Sequence, residues 1–385
     1  MNHSPTTRIR SHWRVACCAS LVASSATFAA QPAERPKSAA LVPEYRVDAS
    51  WPKPLPNGWV IGPVCGVAVD SHQNIWIVQR RLSVVPGGRT GSFAPPVLEF
   101  APDGSLLASW GGPGQGYDWP QDEHGIYVDA HDNVWLGGAG ARDDQILKFT
   151  SQGRFLLQIG HAGQSRGSND TANLGAPASM VVDESANELY VADGYVNHRV
   201  IVFDAITGAY KRHWGAYGRR PDDEYYARRG IKPGEHPTNG SRAGPTDTTS
   251  PQFDLVHGVR VAKDGLVYVG DRTNNRIQVF RRNGTFVREV FVANDVVASG
   301  TTSDIGFSAD PRQRWMFVAD STSQHVHVLD RDSLVQVGSF GEPGRLPGQF
   351  DTAHNLAVDA KGDVFVTESR GSRVQKFVPV KQESP

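Results

Sequence analysis

Residues 266–280 read LVYVGDRTNNRIQVF, two short apolar runs separated by a polar turn. β-Branched and aromatic residues dominate both runs, and Asp and Asn occupy the turn, a pattern that predicts two antiparallel β-strands. The first run recurs six times along the chain, at 75–78, 134–136, 189–191, 267–269, 316–318 and 364–366. The second run recurs with it, at 97–100, 146–149, 200–203, 277–280, 326–329 and 374–377. Such repetition indicates a ring of similar β-units.

Six copies, each with a further strand on either side of this pair, predict an all-β fold, a six-bladed β-propeller. The sixth copy runs out of chain near Val380 after three strands. A spare strand, Tyr45-Arg46-Val47-Asp48, precedes the first copy. We predict that this N-terminal strand completes the sixth blade and closes the ring, because closure leaves no long unpaired edge.

Segments outside the repeats divide the chain into parts. Residues 1–30 combine three arginines, an apolar stretch of small residues and a final alanine pair, which together predict a cleaved signal peptide. We expect residues 31–43 to be a disordered linker, 44–380 the propeller and 381–385 a tail. A long polar insertion, 216–254, separates the third and fourth copies. The signal peptide predicts export to the periplasm or the extracellular space.

Composition narrows the possible partners. The 39 basic and 40 acidic residues nearly cancel, so charge gives no reason to expect nucleic acid or an anionic membrane as a partner. The apolar stretch of the signal is too short for a membrane span. After cleavage Cys65 is the one cysteine left, so no intrachain disulfide can form and the core must hold the fold. We expect a monomer.

Histidine begins the innermost strand in alternate copies. The second, fourth and sixth copies start with His124-Gly125-Ile126, His257-Gly258-Val259 and His354-Asn355-Leu356. In a propeller these positions converge near the axis on one face, so the three imidazoles would surround one point. Three neutral imidazoles with an open fourth position suit a Zn²⁺ ion. The alternative is that the histidines are inherited repeat positions that only pack against their neighbours.

The ends of the second strands reach the same face. They carry Arg80, Tyr195 and Arg272, beside acidic residues that recur at equal phase, such as Asp193 and Asp271. Arginine binds carboxylates through paired hydrogen bonds, so these arginines favour an anionic substrate. A phenol near a metal and arginines could act as a base. The recurring aspartates are predicted to be structural, and an ordinary salt bridge for Arg272 or ordinary packing for Tyr195 stays open.

A resemblance to the catalytic core of the peptidyl-α-hydroxyglycine α-amidating lyases is carried by segments 124–129, 192–200, 270–278 and 350–355. The blade motif alone is typical of NHL repeats in general, whereas the three histidines and the Asp-Gly-Tyr turn are more specific. The resemblance covers nearly the whole mature chain in blade order. It implies an NHL-type propeller that cleaves the carbinolamide of a C-terminal α-hydroxyglycine into an amide and glyoxylate.

The resemblance also implies roles for single residues. The implied zinc ligands are His124, His257 and His354. The implied catalytic residues are Tyr195 as the base, with Arg80 and Arg272 holding the carboxylate and hydroxyl region; Arg81 adjoins Arg80 and is the alternative to it. The implied ligands of a structural Ca²⁺ are the main-chain carbonyls of Val67 and Ile126 and the side chain of Asn355.

Two departures from the family concern the substrate and the calcium ion. Asn355 stands where the family has an aspartate, and a neutral amide attracts calcium less strongly. Thr352 stands where the family has a methionine. The rim arginines and the resemblance together lead us to expect a small anionic α-hydroxy amide or peptide as substrate. A non-enzymatic exported propeller that serves as a binding module, or a calcium-dependent lactonase-like hydrolase, stays an alternative.

Overall fold

The computed structural model describes residues 42–80, 92–228, 250–296 and 299–380. The predicted signal peptide, the C-terminal tail, Arg81 and nearly all of the predicted linker lie outside the described residues.

Six four-stranded antiparallel sheets form the fold. The first three are β2 (Val64–Val69), β3 (Ile75–Gln79), β4 (Val97–Phe100), β5 (Leu106–Trp110); β6 (Glu123–Val128), β7 (Asn133–Gly138), β8 (Ile146–Thr150), β9 (Phe155–Ile159); and β10 (Pro177–Asp183), β11 (Glu188–Asp193), β12 (Arg199–Asp204), β13 (Tyr210–Trp214). The next two are β14 (Val256–Val261), β15 (Leu266–Asp271), β16 (Arg276–Arg281), β17 (Phe286–Phe291); and β18 (Asp304–Phe307), β19 (Trp315–Asp320), β20 (His325–Asp330), β21 (Gln336–Phe340). The six-bladed propeller predicted from the repeats is confirmed.

The sixth blade is built from both ends of the described chain. It contains β24 (Ala353–Val358), β25 (Val364–Glu368), β26 (Arg373–Pro379) and, as its outer strand, β1 (Tyr45–Asp48). Strand β1 runs antiparallel to β26, with Tyr45 opposite Pro379 and Asp48 opposite Lys376. The innermost strands of the first and sixth blades, β2 and β24, also lie in contact. The predicted closure of the ring by the N-terminal strand agrees with this pairing.

Apolar side chains fill the space between adjacent blades, in one cluster for each pair of neighbours. Between the third and fourth blades, for example, Tyr190 and Trp214 pack with Phe253 and Phe280, and all four are buried. The alternation of the strands supplies these contacts, because side chains of one strand point in turn to the two neighbouring blades. Burial of one such aromatic side chain contributes about 2–3 kcal/mol.

Buried acidic residues hold the loops near the predicted site through hydrogen bonds and ion pairs. The Asp193 carboxylate accepts the Gly175 amide at 2.7 Å and pairs with the Arg199 guanidinium at 2.8 Å. Asp271 accepts the Asp254 amide at 2.9 Å and pairs with Arg276 at 2.7 Å. These contacts bear out the prediction that the recurring aspartates are structural.

The predicted insertion, 216–254, begins with a 3-10 turn at Ala216–Gly218 and the short helix α1 (Asp223–Ala227). The Asp223 carboxylate accepts the Ser168 amide at 2.8 Å, which ties α1 to the loop before β10. Two short strands, β22 (Glu342–Pro343) and β23 (Gln349–Phe350), pair in parallel before β24. Within the described ranges, no helix has the length and apolar character that crossing a membrane requires.

Candidate metal centre and substrate pocket

Three histidines from alternate blades meet near the axis. His124 lies in β6, His257 in β14 and His354 in β24, and all three are buried. Their ring centroids lie 5.1 Å (His124–His257), 4.9 Å (His124–His354) and 4.8 Å (His257–His354) apart. The structure therefore brings the three predicted ligands together at one point, with nitrogen atoms close enough to share a metal ion.

A local irregularity of the innermost strands aims these side chains. The pairing register shifts between Glu123 and Ile126 in β6, between Val256 and Gly258 in β14, and between Ala353 and Leu356 in β24. A bulge leaves a residue outside the ladder and turns its side chain away from the pleat direction. Each histidine falls within such a shift, so its imidazole points to the axis rather than into the packing between blades.

Backbone carbonyls of the following blades orient two of the imidazoles. The Nδ1 atom of His124 lies 2.7 Å from the carbonyl oxygen of Ala178, and Nδ1 of His257 bonds that of Ser303. A carbonyl can only accept, so the proton sits on Nδ1 and the lone pair on Nε2 faces the axis. Burial lowers the pKa of all three histidines well below the ordinary value, so the rings stay neutral. Neutral rings with inward lone pairs could hold a metal ion.

The Tyr195 phenol sits between two of these rings. Its hydroxyl lies 3.0 Å from Nε2 of His124 and 3.0 Å from Nε2 of His257. The preceding Gly194 allows this approach, because a Cβ there would lie 2.1 Å from the backbone oxygen of Val256. Burial raises the pKa of Tyr195, while the nearby Arg272 and Arg80 guanidinium groups lower it. The tyrosine predicted as a base is thus in hydrogen-bond contact with the Nε2 atoms of His124 and His257.

The two predicted arginines differ in their partners. Arg80 forms an ion pair with Asp122 and donates to the Glu123 carbonyl at 3.3 Å. Arg272 is buried, and its Nε atom has no hydrogen-bond partner among the described residues. A buried guanidinium without a carboxylate is costly, so the Arg272 environment is suited to an anionic ligand. Arg81, the alternative to Arg80, lies outside the described residues.

A cavity of about 380 Å³ joins these groups. Its lining consists of Arg80, Tyr195, Arg272, Ser299, Ser321, Thr322, Gln324, Thr352, His354, Ser369 and Arg370. Arg370 was not predicted from the sequence. Repeat phase is the signal that could have found it, because Arg370 follows Glu368 by two positions, as Tyr195 follows Asp193.

The residues that the resemblance offers to calcium lie deeper in the central channel. Val67, Ile126 and Asn355 are all buried. The Oδ1 atom of Asn355 has no hydrogen bond of standard geometry among the described residues, although the Asn355 side chain lies close enough to the neighbouring His354 ring to raise its pKa in part. The Nδ2 atom of Asn355 donates to the Asp304 carboxylate at 3.1 Å, which fixes the amide with Oδ1 turned away from that acid.

A guanidinium group already balances this carboxylate. Arg260 donates through Nη2 to Asp304 at 2.7 Å and through Nη1 to the Ser179 hydroxyl at 3.3 Å. The same Nη2 atom lies 3.4 Å from the Leu356 carbonyl. Calcium sites in proteins draw their affinity largely from carboxylate charge, and here the nearby carboxylate is neutralised. These residues fit a divalent cation poorly, and the calcium site stays a prediction.

Comparison with known proteins places these features in context. The NHL repeat model matches residues 174–203 and 253–280, in the third and fourth blades. NHL repeat-containing protein 3 from Homo sapiens is 27% identical over 355 residues, which cover 89% of this chain and 86% of that protein. Peptidyl-alpha-hydroxyglycine alpha-amidating lyase 1 from Drosophila melanogaster is 25% identical over 372 residues, 87% of this chain and 60% of the lyase.

The solved structure of a streptogramin B lyase shares the fold. Its TM-score is 0.50 with 12% sequence identity, and the alignment covers 88% of this chain and 98% of that one. At this identity the likeness concerns the architecture alone. The sequence relatives show more, namely that the chain has NHL repeats and is homologous to amidating-lyase domains at about 25% identity.

Proposed function

We propose, from the NHL repeats and the homology to α-amidating lyases, that this chain is an exported zinc-dependent lyase. Its substrate would be an N-acyl-α-hydroxyglycine, cleaved at the C–N bond into an amide and glyoxylate. The observation that carries the proposal is the shared cavity of Tyr195, Arg272 and His354, with the Tyr195 hydroxyl 3.0 Å from His124 and His257.

Arg272 is the group that would bind the substrate carboxylate. Its buried guanidinium lines the cavity beside Tyr195 and His354, and it forms no ion pair among the described residues. A carboxylate would supply the missing partner through charge-assisted hydrogen bonds. Such a bond orients the α-carbon, with its hydroxyl and its C–N bond, towards the histidines. Fixed orientation of this kind accounts for a large part of catalysis in bond-cleaving enzymes.

Tyr195 is the group placed to move the proton. The substrate hydroxyl loses its proton to the Tyr195 oxygen, the carbon–oxygen double bond of glyoxylate forms, and the C–N bond breaks. The departing amide nitrogen needs one proton, which the newly protonated phenol can return. Atoms therefore balance without water. A zinc ion, when bound by His124, His257 and His354, supplies Lewis acidity that favours loss of the hydroxyl proton.

Arg80 has a supporting part. Its ion pair with Asp122 leaves it less available for a second carboxylate than Arg272 is. Burial raises the pKa of Tyr195, and the positive charges of Arg272 and Arg80 offset part of that rise, which helps the phenol to accept a proton. We assign Arg80 to the hydroxyl side of the substrate and Arg272 to the carboxylate.

Elemental analysis and a product assay test the proposal together. We expect about one zinc per chain in the purified mature protein, and none in the His124→Ala, His257→Ala, His354→Ala triple variant. We expect the wild type, and not the triple variant, to release glyoxylate from an N-acyl-α-hydroxyglycine. Circular dichroism of the variant must show a retained β-fold for the comparison to count.

A second candidate is a propeller that binds a partner without catalysis. The similarity to NHL repeat-containing protein 3 over 89% of this chain favours it, because that name states a repeat and no reaction. Absence of any transition metal from the wild type, together with no glyoxylate release, would support this candidate and reject the lyase.

A further inference from the structure

The exposure of the lining side chains increases from one end of the cavity to the other. His354 and Arg272 lie at the buried end, Gln324 and Thr352 are half-buried, and Arg370 is exposed. A substrate with its reacting carbon near the histidines would therefore extend its acyl group towards Arg370.

Two of the three arginines that line the cavity lack an acidic partner among the described residues. Arg80 is paired with Asp122, but neither Arg272 nor Arg370 forms an ion pair with any residue that the structure describes. The acid nearest in sequence to Arg370 is engaged elsewhere, since Glu368 pairs with Arg373. No Asp or Glu is among the described residues that line the cavity. Two guanidinium groups are thus left for the ligand.

The described lining residues are almost all polar and offer little contact to an apolar acyl group. Besides the arginines, Tyr195 and His354, the described lining residues are hydroxyl and amide side chains: Ser299, Ser321, Thr322, Gln324, Thr352 and Ser369. Ligand pockets are usually lined mainly by hydrophobic and aromatic side chains, which bury the apolar part of the ligand. The part of the lining that the structure describes therefore favours a polar acyl group.

We propose that the acyl group of the substrate carries a second negative charge and that Arg370 recognises it. This inference rests on the proposed function and names the substrate class for the same cavity. Arg272 binds the carboxylate next to the reacting carbon, and Arg370 binds a carboxylate at the far end of the acyl group. The substrate class is N-acyl-α-hydroxyglycines with a dicarboxylic acyl group, or peptides with an acidic residue before the hydroxyglycine.

Two isosteric substrates test the inference. N-succinyl-α-hydroxyglycine carries the second carboxylate, and N-succinamoyl-α-hydroxyglycine replaces it with a neutral amide of the same shape. We expect kcat/KM for glyoxylate release to be about fivefold higher with the succinyl compound, the size that an exposed ion pair can supply. The preference should fall towards unity at about 0.5 M NaCl, because salt screens exposed charges.

Variants assign the preference to one residue. Arg370→Gln should remove most of the fivefold difference, and Arg370→Lys should keep part of it. Arg154→Gln is the matched control, an exposed arginine in the β8–β9 turn at the opposite end of its blade, and should leave the preference unchanged.

The outcomes separate this inference from the proposed function. Equal kcat/KM for the two compounds, with glyoxylate released from both, overturns the inference and leaves the lyase standing. A preference that survives in Arg370→Gln overturns the role of Arg370. Release from neither compound rejects the lyase and the inference with it.

Discussion

Two regions of the same central channel differ in how the charges of their side chains are balanced. At one rim, three neutral imidazoles converge, the Nε2 lone pairs of His124 and His257 face the axis, and no carboxylate is among the described residues of this histidine cluster. Deeper in the channel, Arg260 and Asp304 form an ion pair at 2.7 Å with the carboxylate fully buried. His257 and Arg260 are three residues apart on β14, about 10 Å along the strand.

The difference between the two regions indicates which of them could attract a metal ion. Electron-rich nitrogens without a counter-charge offer a site to an external cation. A carboxylate that already has a guanidinium partner offers none, since the chain supplies the cation. Under the proposed function the rim would use a metal ion, whereas the interior of the channel uses the Arg260 guanidinium.

The largest expected effect is on stability, from removing the internal cation. Arg260→Met leaves the buried Asp304 carboxylate without its partner, which should cost about 3–5 kcal/mol in the free energy of unfolding. Urea unfolding followed by tryptophan fluorescence measures the loss. The Arg260→Met, Asp304→Asn double variant should recover most of it. A loss below about 1 kcal/mol in the single variant would mean that Arg260 does not hold the channel together.

A somewhat smaller effect is expected at the rim, and on activity rather than stability. Arg272→Gln removes the guanidinium that we assign to the substrate carboxylate, so kcat/KM should fall about 100-fold, equivalent to about 2.7 kcal/mol. Arg272→Lys should retain part of the activity, because it keeps the charge but not the paired geometry. Glyoxylate release gives the rates. Unchanged stability with lower activity would separate this rim residue from Arg260.

Sequence patterns predicted the fold because each blade repeats its own hydrophobic and turn signals. The local pattern at 267–269 and 277–280 is enough to predict two paired strands. The additional strand at 45–48 predicts how the ring of blades closes. The histidines were predictable for a related reason. Their repeat phase fixes which face and which radius they occupy, so the convergence of His124, His257 and His354 follows from the architecture.

Other contacts could not be predicted, because they depend on where long side chains end. The Arg260–Asp304 pair joins two innermost strands across 44 positions of sequence, and nothing local marks either residue. Arg370 shares the repeat phase of Tyr195, but Ser369-Arg370-Gly371 does not resemble the Asp-Gly-Tyr turn. The sequence also could not show which arginine has an ion-pair partner. In the structure Arg80 pairs with Asp122, whereas Arg272 has no carboxylate partner within the described part of the chain.

A third prediction concerns Gly194, whose missing side chain allows Tyr195 to approach the histidines. In Gly194→Ala the new Cβ would lie 2.1 Å from the Val256 oxygen, so the turn must shift and carry Tyr195 away from the imidazoles. Misplacement of a reacting group by about 1 Å can lower a rate about 100-fold. We expect about tenfold lower kcat/KM, because the turn can relax in part, with zinc content unchanged. Loss of zinc in this variant would instead place the damage in β14, which carries His257.

The smallest effect, and the sharpest comparison of the two regions, comes from calcium. Added to chelator-treated wild type that has been reloaded with zinc, calcium should leave the melting temperature unchanged, because Asp304 is already balanced by Arg260. Asn355→Asp places a carboxylate at this channel position, and the melting temperature of this variant should rise when calcium is added, since a ligand that binds only the folded state stabilises it. Magnesium serves as the control ion for both proteins, because it requires a tighter octahedral set of oxygens. A calcium-dependent rise in the wild type would show that the channel holds a second metal ion despite its internal guanidinium, and the contrast between the rim and the interior would fail.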